Sequence, residues 1–311
     1  MRRIAGIIVF VIGLLVFISH VAGLVPGVKW LGIFCLFLGG VMFGLSFIPQ
    51  PAPGADAPPP LSAADRITKV FYEPDPVFKN LRHYPRWLAG FLVLVLFSLT
   101  YQLAVIQRIG PERLAEDRAN RIIEGGYLQN APISPDDFKQ AQIAQAISTA
   151  TLTKISLPIW TAGGTLIFLF ILAGLYLLGV IAFGGRMNFW QAVSVAVYSS
   201  IPPTIILTVL NLILLYTQSV DDMVPMRAQQ QGLARADLGL LFSPSAHPFL
   251  YTLAGSIGLF TIYRLWLTAN GLKNTATKIK NGSAWAIVLL LWVLGLLLSL
   301  VAVMLAPTFV A

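Results

Sequence analysis

Charge is scarce in this chain. Asp, Glu, Lys and Arg make up 11% of its 311 residues, against about 25% in a soluble domain. With 57% apolar residues and 26 glycines, too few polar groups remain to cover a water-facing surface, which excludes a cytosolic enzyme and an autonomous nucleic-acid-binding domain. The lone cysteine, Cys35, can form no internal bridge, so a secreted disulfide scaffold is excluded as well. His20, His83 and His247 stand singly in different segments, without metal-ligand spacing. The sequence contains no HExxH, CxxC, GxSxG or phosphate-binding-loop motif. No cofactor or metal is expected, and a Ser-His intramembrane hydrolase built on His20 or His247 is the least supported function class.

Long apolar runs take the place of these features. A hydrocarbon core about 30 Å thick needs about 20 helical residues, and runs free of carboxylates lie near 4–25, 29–48, 87–107, 157–183, 190–216, 249–270 and 284–306. The expected fold is an all-α polytopic transmembrane bundle of about seven spans. Trp30, Trp87, Trp190 and Trp285 fall at proposed boundaries, where indole rings lie at headgroup level. Met1-Arg2-Arg3 before the first run also fits a signal peptide, but the run is long and His20 occupies a position before Ala22 where cleavage favours a small residue.

Prolines concentrate in PQPAPGADAPPP, an extended segment that divides the chain. The resulting plan is a two-helix transmembrane hairpin at 1–48, a Pro-rich cytoplasmic linker at 49–62 and a five-span membrane domain at 63–311. The net charge of +8 is read as basic inner loops facing anionic lipid. The short connection carrying Lys273, Lys278 and Lys280 is the clearest marker of the inner side. A bacterial cytoplasmic (inner) membrane is expected, with the N-terminus cytoplasmic and the C-terminus outside. The expected partners are anionic inner-leaflet lipids, other membrane proteins or further copies of the chain, and not nucleic acid.

Ahead of the third run, a helix after Pro76 would place Val77, Phe78, Leu81 and Leu88 on one face and Lys79, Arg82 and Arg86 on another. Such a helix either lies on the inner lipid surface or packs beneath the bundle. In the outer segment, Pro111 to Gly125-Gly126 and the capping pattern Ser134-Pro135-Asp136-Asp137 predict two short helices.

None of the seven runs contains Asp or Glu, which argues against ion-coupled transport. Apart from Lys29 at the edge of the second run, Arg264 is the single charge within them; it is expected to snorkel toward inner headgroups, or else to bond carbonyls at a helix seam. Pro202 and Pro203 predict a kink in the fifth span. Ser200, Thr204, Thr208 and Asn211 form a polar seam along the same helix, with the fourth-span glycines 163, 164, 174 and 179 as its expected partners. The seam suits helix packing, or alternatively a hydrophilic pathway.

The succession YEPDPVFKNLRHYPRW, FGGRMNFWQAVSVAVYSSIPP and LFTIYRLWLTANGLKNTATKIKNGSAWAIVLLLW resembles the prokaryotic branch of the Yip family of five-span membrane proteins. The Tyr-xxx-Pro element from Tyr198 to Pro202 matches a feature of that family's third span, whereas the Asp-Leu-x-Gly-Pro motif of eukaryotic members is absent. The resemblance implies a five-span body with a cytosolic N-terminus and outer C-terminus, and a non-enzymatic role. Eukaryotic relatives act in vesicle trafficking and membrane shaping with small GTPases, and the missing motif keeps that partner from being carried over. The expected function is a non-catalytic membrane scaffold or organiser; the alternative is a small-solute transporter or channel using the fifth span.

Overall fold

A computed structural model describes residues 2–25, 27–54, 57–126, 128, 132–230, 232–243 and 246–305. Ala306, the last residue of the seventh predicted run, lies outside them, as do Ala55 and Asp56 of the linker. Among the described residues the regular structure is helical, interrupted only by two isolated β-bridges. Five helices are long and apolar enough to cross a membrane: α1 (Arg2–Val21), α5 (Leu88–Ile109), α8 (Ala150–Ala182), α9 (Phe189–Thr217) and α13 (Asn281–Leu305). The second run forms α2 (Lys29–Leu45), at 17 residues shorter than expected. The sixth is not one helix. It divides into α11 (Pro248–Gly255) and α12 (Leu259–Thr275).

Backbone pairing explains that division. Ala236 to Leu238 runs alongside Ile257 to Leu259: Leu238 N–H donates to the Ile257 carbonyl and Leu259 N–H to the Ala236 carbonyl. A Cβ at Gly258 would lie 2.9 Å from the Ala236 carbonyl oxygen, so glycine permits this approach. Backbone groups that leave the helical ladder at this break thus find partners within the protein, as membrane depth requires.

α1 and α2 form an antiparallel pair whose glycines recur every seven residues, Gly6 and Gly13 on one helix, Gly32 and Gly39 on the other. A Cβ at Gly13 would sit 2.5 Å from Leu36 N, and one at Gly32 2.7 Å from Phe17 N. The two backbones are in contact, and larger residues would separate them. The pair rests on α8, with the Phe34 and Trp160 rings 4.2 Å apart.

At the centre is α9. Its N-terminus is closed by a capping box between Asn188 and Gln191, and it continues unbroken through Pro202 and Pro203. It is the most enclosed of the long helices. Glycines of α5, α12 and a connecting segment lie against it: a Cβ at Gly90 would meet Val197 at 2.8 Å, one at Gly271 would meet Val195 at 2.7 Å and one at Gly232 would meet the Asn211 side chain at 2.8 Å. The α8 glycines point elsewhere, Gly163 to Phe34 and Gly179 to Ile287, while Gly164 and Gly174 face open space. The expected pairing of the seam with those glycines is therefore corrected.

The connections gather at two ends. One end holds α3 (Ala63–Lys69), α4 (Pro74–His83), the α8–α9 turn and the α12–α13 turn, where Arg186 and Thr277 exchange backbone hydrogen bonds. The opposite end holds α6 (Pro111–Glu124), α7 (Pro135–Ser148) and α10 (Pro225–Gln230). Both helices predicted between the third and fourth runs are present as α6 and α7, and the Ser134 hydroxyl accepts from Asp137 N–H at the start of α7.

Candidate functional site

Two places gather the polar residues that the sequence singles out. The first is the platform at the α3–α4 end. Val77, Phe78 and Leu81 of α4 are wholly buried, mainly against α12, and Thr275 Oγ1 donates to the Phe78 carbonyl at 3.2 Å. The apolar face of α4 therefore packs beneath the bundle and does not lie in lipid. Lys79 and Arg82 are exposed on its other side. α4 ends at His83, so Arg86 belongs to the extended turn that follows, and Leu88, exposed on α5, does not share the buried face. The helix stops because Pro85 supplies no donor and restricts the residue before it.

A polar knot fixes this platform. Arg66 is 2% exposed and donates to the carbonyls of Leu61 and Arg86. Tyr198 Oη donates to the same Arg86 carbonyl at 3.2 Å, so the Tyr-xxx-Pro element ties α9 to the entry of α5. Asn80 accepts from Leu61 N–H and donates to the Pro59 carbonyl. Trp190 Nε1 donates to the Ile48 carbonyl and Asn188 Nδ2 to the Pro49 carbonyl. One end of the Pro-rich segment is thus bound to the start of α9 and the other to α4. Trp87 and Trp190, at the starts of α5 and α9, stack at 6.0 Å with planes 3° apart, and Trp190 is buried. Neither Arg66 nor Asn80 was recognisable as structural from local sequence, since their acceptors lie on other segments.

Charge differs between the two ends. Lys79, Arg82, Arg86, Arg186, Lys273, Lys278 and Lys280 are all exposed. Among the described residues, the ion pairs all lie elsewhere: Arg113–Asp221, Arg121–Asp117 and Lys139–Glu116 at the α6–α7 end, and Arg235–Asp237 beside the break in the sixth span. Arg235 also donates to Tyr251 Oη, and its guanidinium lies 4.6 Å from that ring; the Asp237 carboxylate beside it raises its already high pKa.

The second place is a cavity of about 320 Å³ between α5, α8, α9 and α12. Ser200, Pro203 and Thr204 of α9 line it together with Arg264 of α12, so residues of two separate sequence expectations share one wall. Ser98, Thr165 and Thr261 add hydroxyls; Leu94, Phe168, Leu169, Leu207 and Phe260 supply the apolar remainder. The seam does not continue as one surface. Thr208 and Asn211 are buried, and Asn211 Oδ1 accepts from Leu233 and Ala234 N–H, which fastens the segment after α10 to α9. Arg264 stands eleven residues before the end of α12 at Thr275, roughly 16 Å along the helix. No group of three or more metal-ligating side chains occurs among the described residues.

A family model, the Yip1 domain, matches residues 68–303. No curated protein and no solved structure matches the chain. The match begins at the end of α3 and ends within α13, and so takes in α4, the central helix with Tyr198 and the whole cavity, while Arg66 and the Pro-rich segment precede it. The chain is an all-helical membrane protein that belongs to the Yip1-domain family.

Proposed function

We propose that this protein is a non-catalytic membrane organiser that gathers anionic lipid around its basic end. The carrying observation is the set of exposed cations at the α3–α4 end, none paired with a carboxylate, on a platform whose apolar face is fully used in packing. Each such cation near an anionic surface contributes about 1 kcal/mol of attraction, screened over about 8 Å at physiological salt. On this reading the basic end faces the inner leaflet of a bacterial cytoplasmic membrane, the N-terminus is cytoplasmic and the C-terminus outside. Other membrane proteins or further copies assemble beside it, and nucleic acid is not a partner.

The test is lipid clustering in proteoliposomes containing a self-quenching fluorescent phosphatidylglycerol. The full chain should quench it at low salt, and K79Q/R82Q/R86Q should quench less. A labelled phosphatidylcholine quenched equally would defeat the proposal. A transporter through α9 is the second reading, supported by the cavity at Ser200 and Thr204. The burial of Thr208 and the commitment of Asn211 to the 233–234 backbone weigh against a through path. Protein-dependent efflux of a trapped solute from the same vesicles would favour it.

A further inference from the structure

We propose that the α5–α8–α9–α12 cavity binds the anionic headgroup of one membrane amphiphile, with the Arg264 guanidinium as its counter-charge and the surrounding hydroxyls as its further donors. The first ground is an uncompensated charge. The segment from Leu259 to Thr275 contains no carboxylate, and Arg264 makes no hydrogen bond or ion pair through its side chain among the described residues. The Asp237 carboxylate, near the adjoining end of the groove, is already committed to Arg235 and to Gly239 N–H. Arg264 is exposed on the wall of this groove, and a guanidinium within an apolar helix is retained where something answers its charge.

The second ground is independent of that charge. Hydroxyls in apolar helices ordinarily bond back to a carbonyl one turn earlier, as Thr100 does to Leu96, Ser200 to Ala196 and Thr268 to Arg264. Ser98, Thr165, Thr204 and Thr261 make no such bond among the described residues, although each lines the cavity. Four hydroxyl donors from four helices therefore converge with Arg264 on one space.

Size and setting decide the ligand class. The volume of about 320 Å³ is at the small end for an organic ligand site, suited to a headgroup and short of a whole two-chain lipid. The wall is mixed, with Phe168 at 55% exposure beside the polar groups, so an acyl chain can leave along the lipid-facing surface of α8. A fatty-acid carboxylate and a phospholipid phosphate share the required chemistry. This proposal does not rest on the basic platform, which lies on another part of the molecule.

Native mass spectrometry of the full chain in mild detergent tests it, with oleate, dioleoylphosphatidylglycerol and inorganic phosphate as separate probes. One tightly held oleate or one phosphatidylglycerol is the expected result, and which of the two is retained identifies the source of the anion. Arg264→Gln should weaken that binding tenfold or more, with Arg264→Lys restoring part of it. Thr204→Val with Thr261→Val, which keeps side-chain shape, should weaken it about three- to tenfold and serves if the Arg264 variants fail to fold. Arg113→Gln, at the α6–α7 end and away from both proposed lipid sites, should leave it unchanged. Phosphate competing as well as the amphiphiles would overturn the lipid assignment, and affinity unaltered by both the Arg264 and threonine substitutions would overturn the site.

Discussion

Phe78→Ala separates a helix packed under the bundle from one resting on lipid. Phe78 is 0% exposed, and its ring occupies space beside Gly271, where an added Cβ would come within 3.0 Å of it and 2.7 Å of Val195. Removing the ring from a closed core should cost about 3–5 kcal/mol. Gly271→Ala overfills the same contact and should cost about 1–3 kcal/mol. In the double variant the new methyl enters space the ring has left, while its clash with Val195 remains. The combined loss should therefore fall short of the sum by about 0.5–1 kcal/mol, a coupling that neighbouring residues can show. Unfolding of the full chain in mixed micelles, titrated with SDS, reads all three values. If α4 lay on the membrane surface, Phe78→Ala would change stability by less than about 0.5 kcal/mol and the two substitutions would add. That result would refute the packed platform and the fixed display of Lys79 and Arg82 derived from it.

Three further outcomes follow from single contacts. Gly39 lies against the Phe10 backbone whereas Gly40 faces open space, so Gly39→Val should expose the buried Cys35 to a small maleimide and Gly40→Val should not. Cysteines placed at 200 and 204 should react with small water-soluble thiol reagents, and those at 208 and 211 should stay protected; reaction at all four would show a water-filled path along α9. Asp65 has a pKa below its ordinary value, mainly through the Ser62 hydroxyl and secondarily through Lys69. Its contribution to α3 is thus present above the unfolded carboxylate pKa and lost as pH falls through the lower folded value. Carboxyl NMR should show this, and a pKa at or above the ordinary aspartate value would contradict it.

What was readable in the sequence was what depends on local chemistry. Apolar length located α1, α5, α8, α9 and α13, and Ser134 followed by Pro135 marked the start of α7. The roles of Gly6, Gly13, Gly32 and Gly39 emerge only once α1 and α2 lie backbone to backbone. The break in the sixth span was not legible either, because the Ala236–Leu238 stretch that satisfies its backbone comes from the preceding connection. Nor could spacing along α9 tell which neighbour it faces: its small-residue partners include Gly90, Gly232 and Gly271, while Gly163 and Gly179 of the fourth span meet α2 and α13. Arg264 and Ser200 appeared as separate features for the same reason. Their common cavity exists only once α12 and α9 are side by side.

Side-selective labelling tests the proposed placement of the basic end most directly. In a Cys35→Ala background, single cysteines at Gly54 and Lys278 mark the α3–α4 end, and those at Arg113 and Asp222 mark the opposite end; all four positions are exposed. With an impermeant maleimide on intact bacterial cells expressing the chain, only the cysteines at 113 and 222 should label, and those at 54 and 278 should label after the membrane is opened. Labelling of 54 and 278 in intact cells, with 113 and 222 protected, would put the unpaired cations on the outer face and contradict the account.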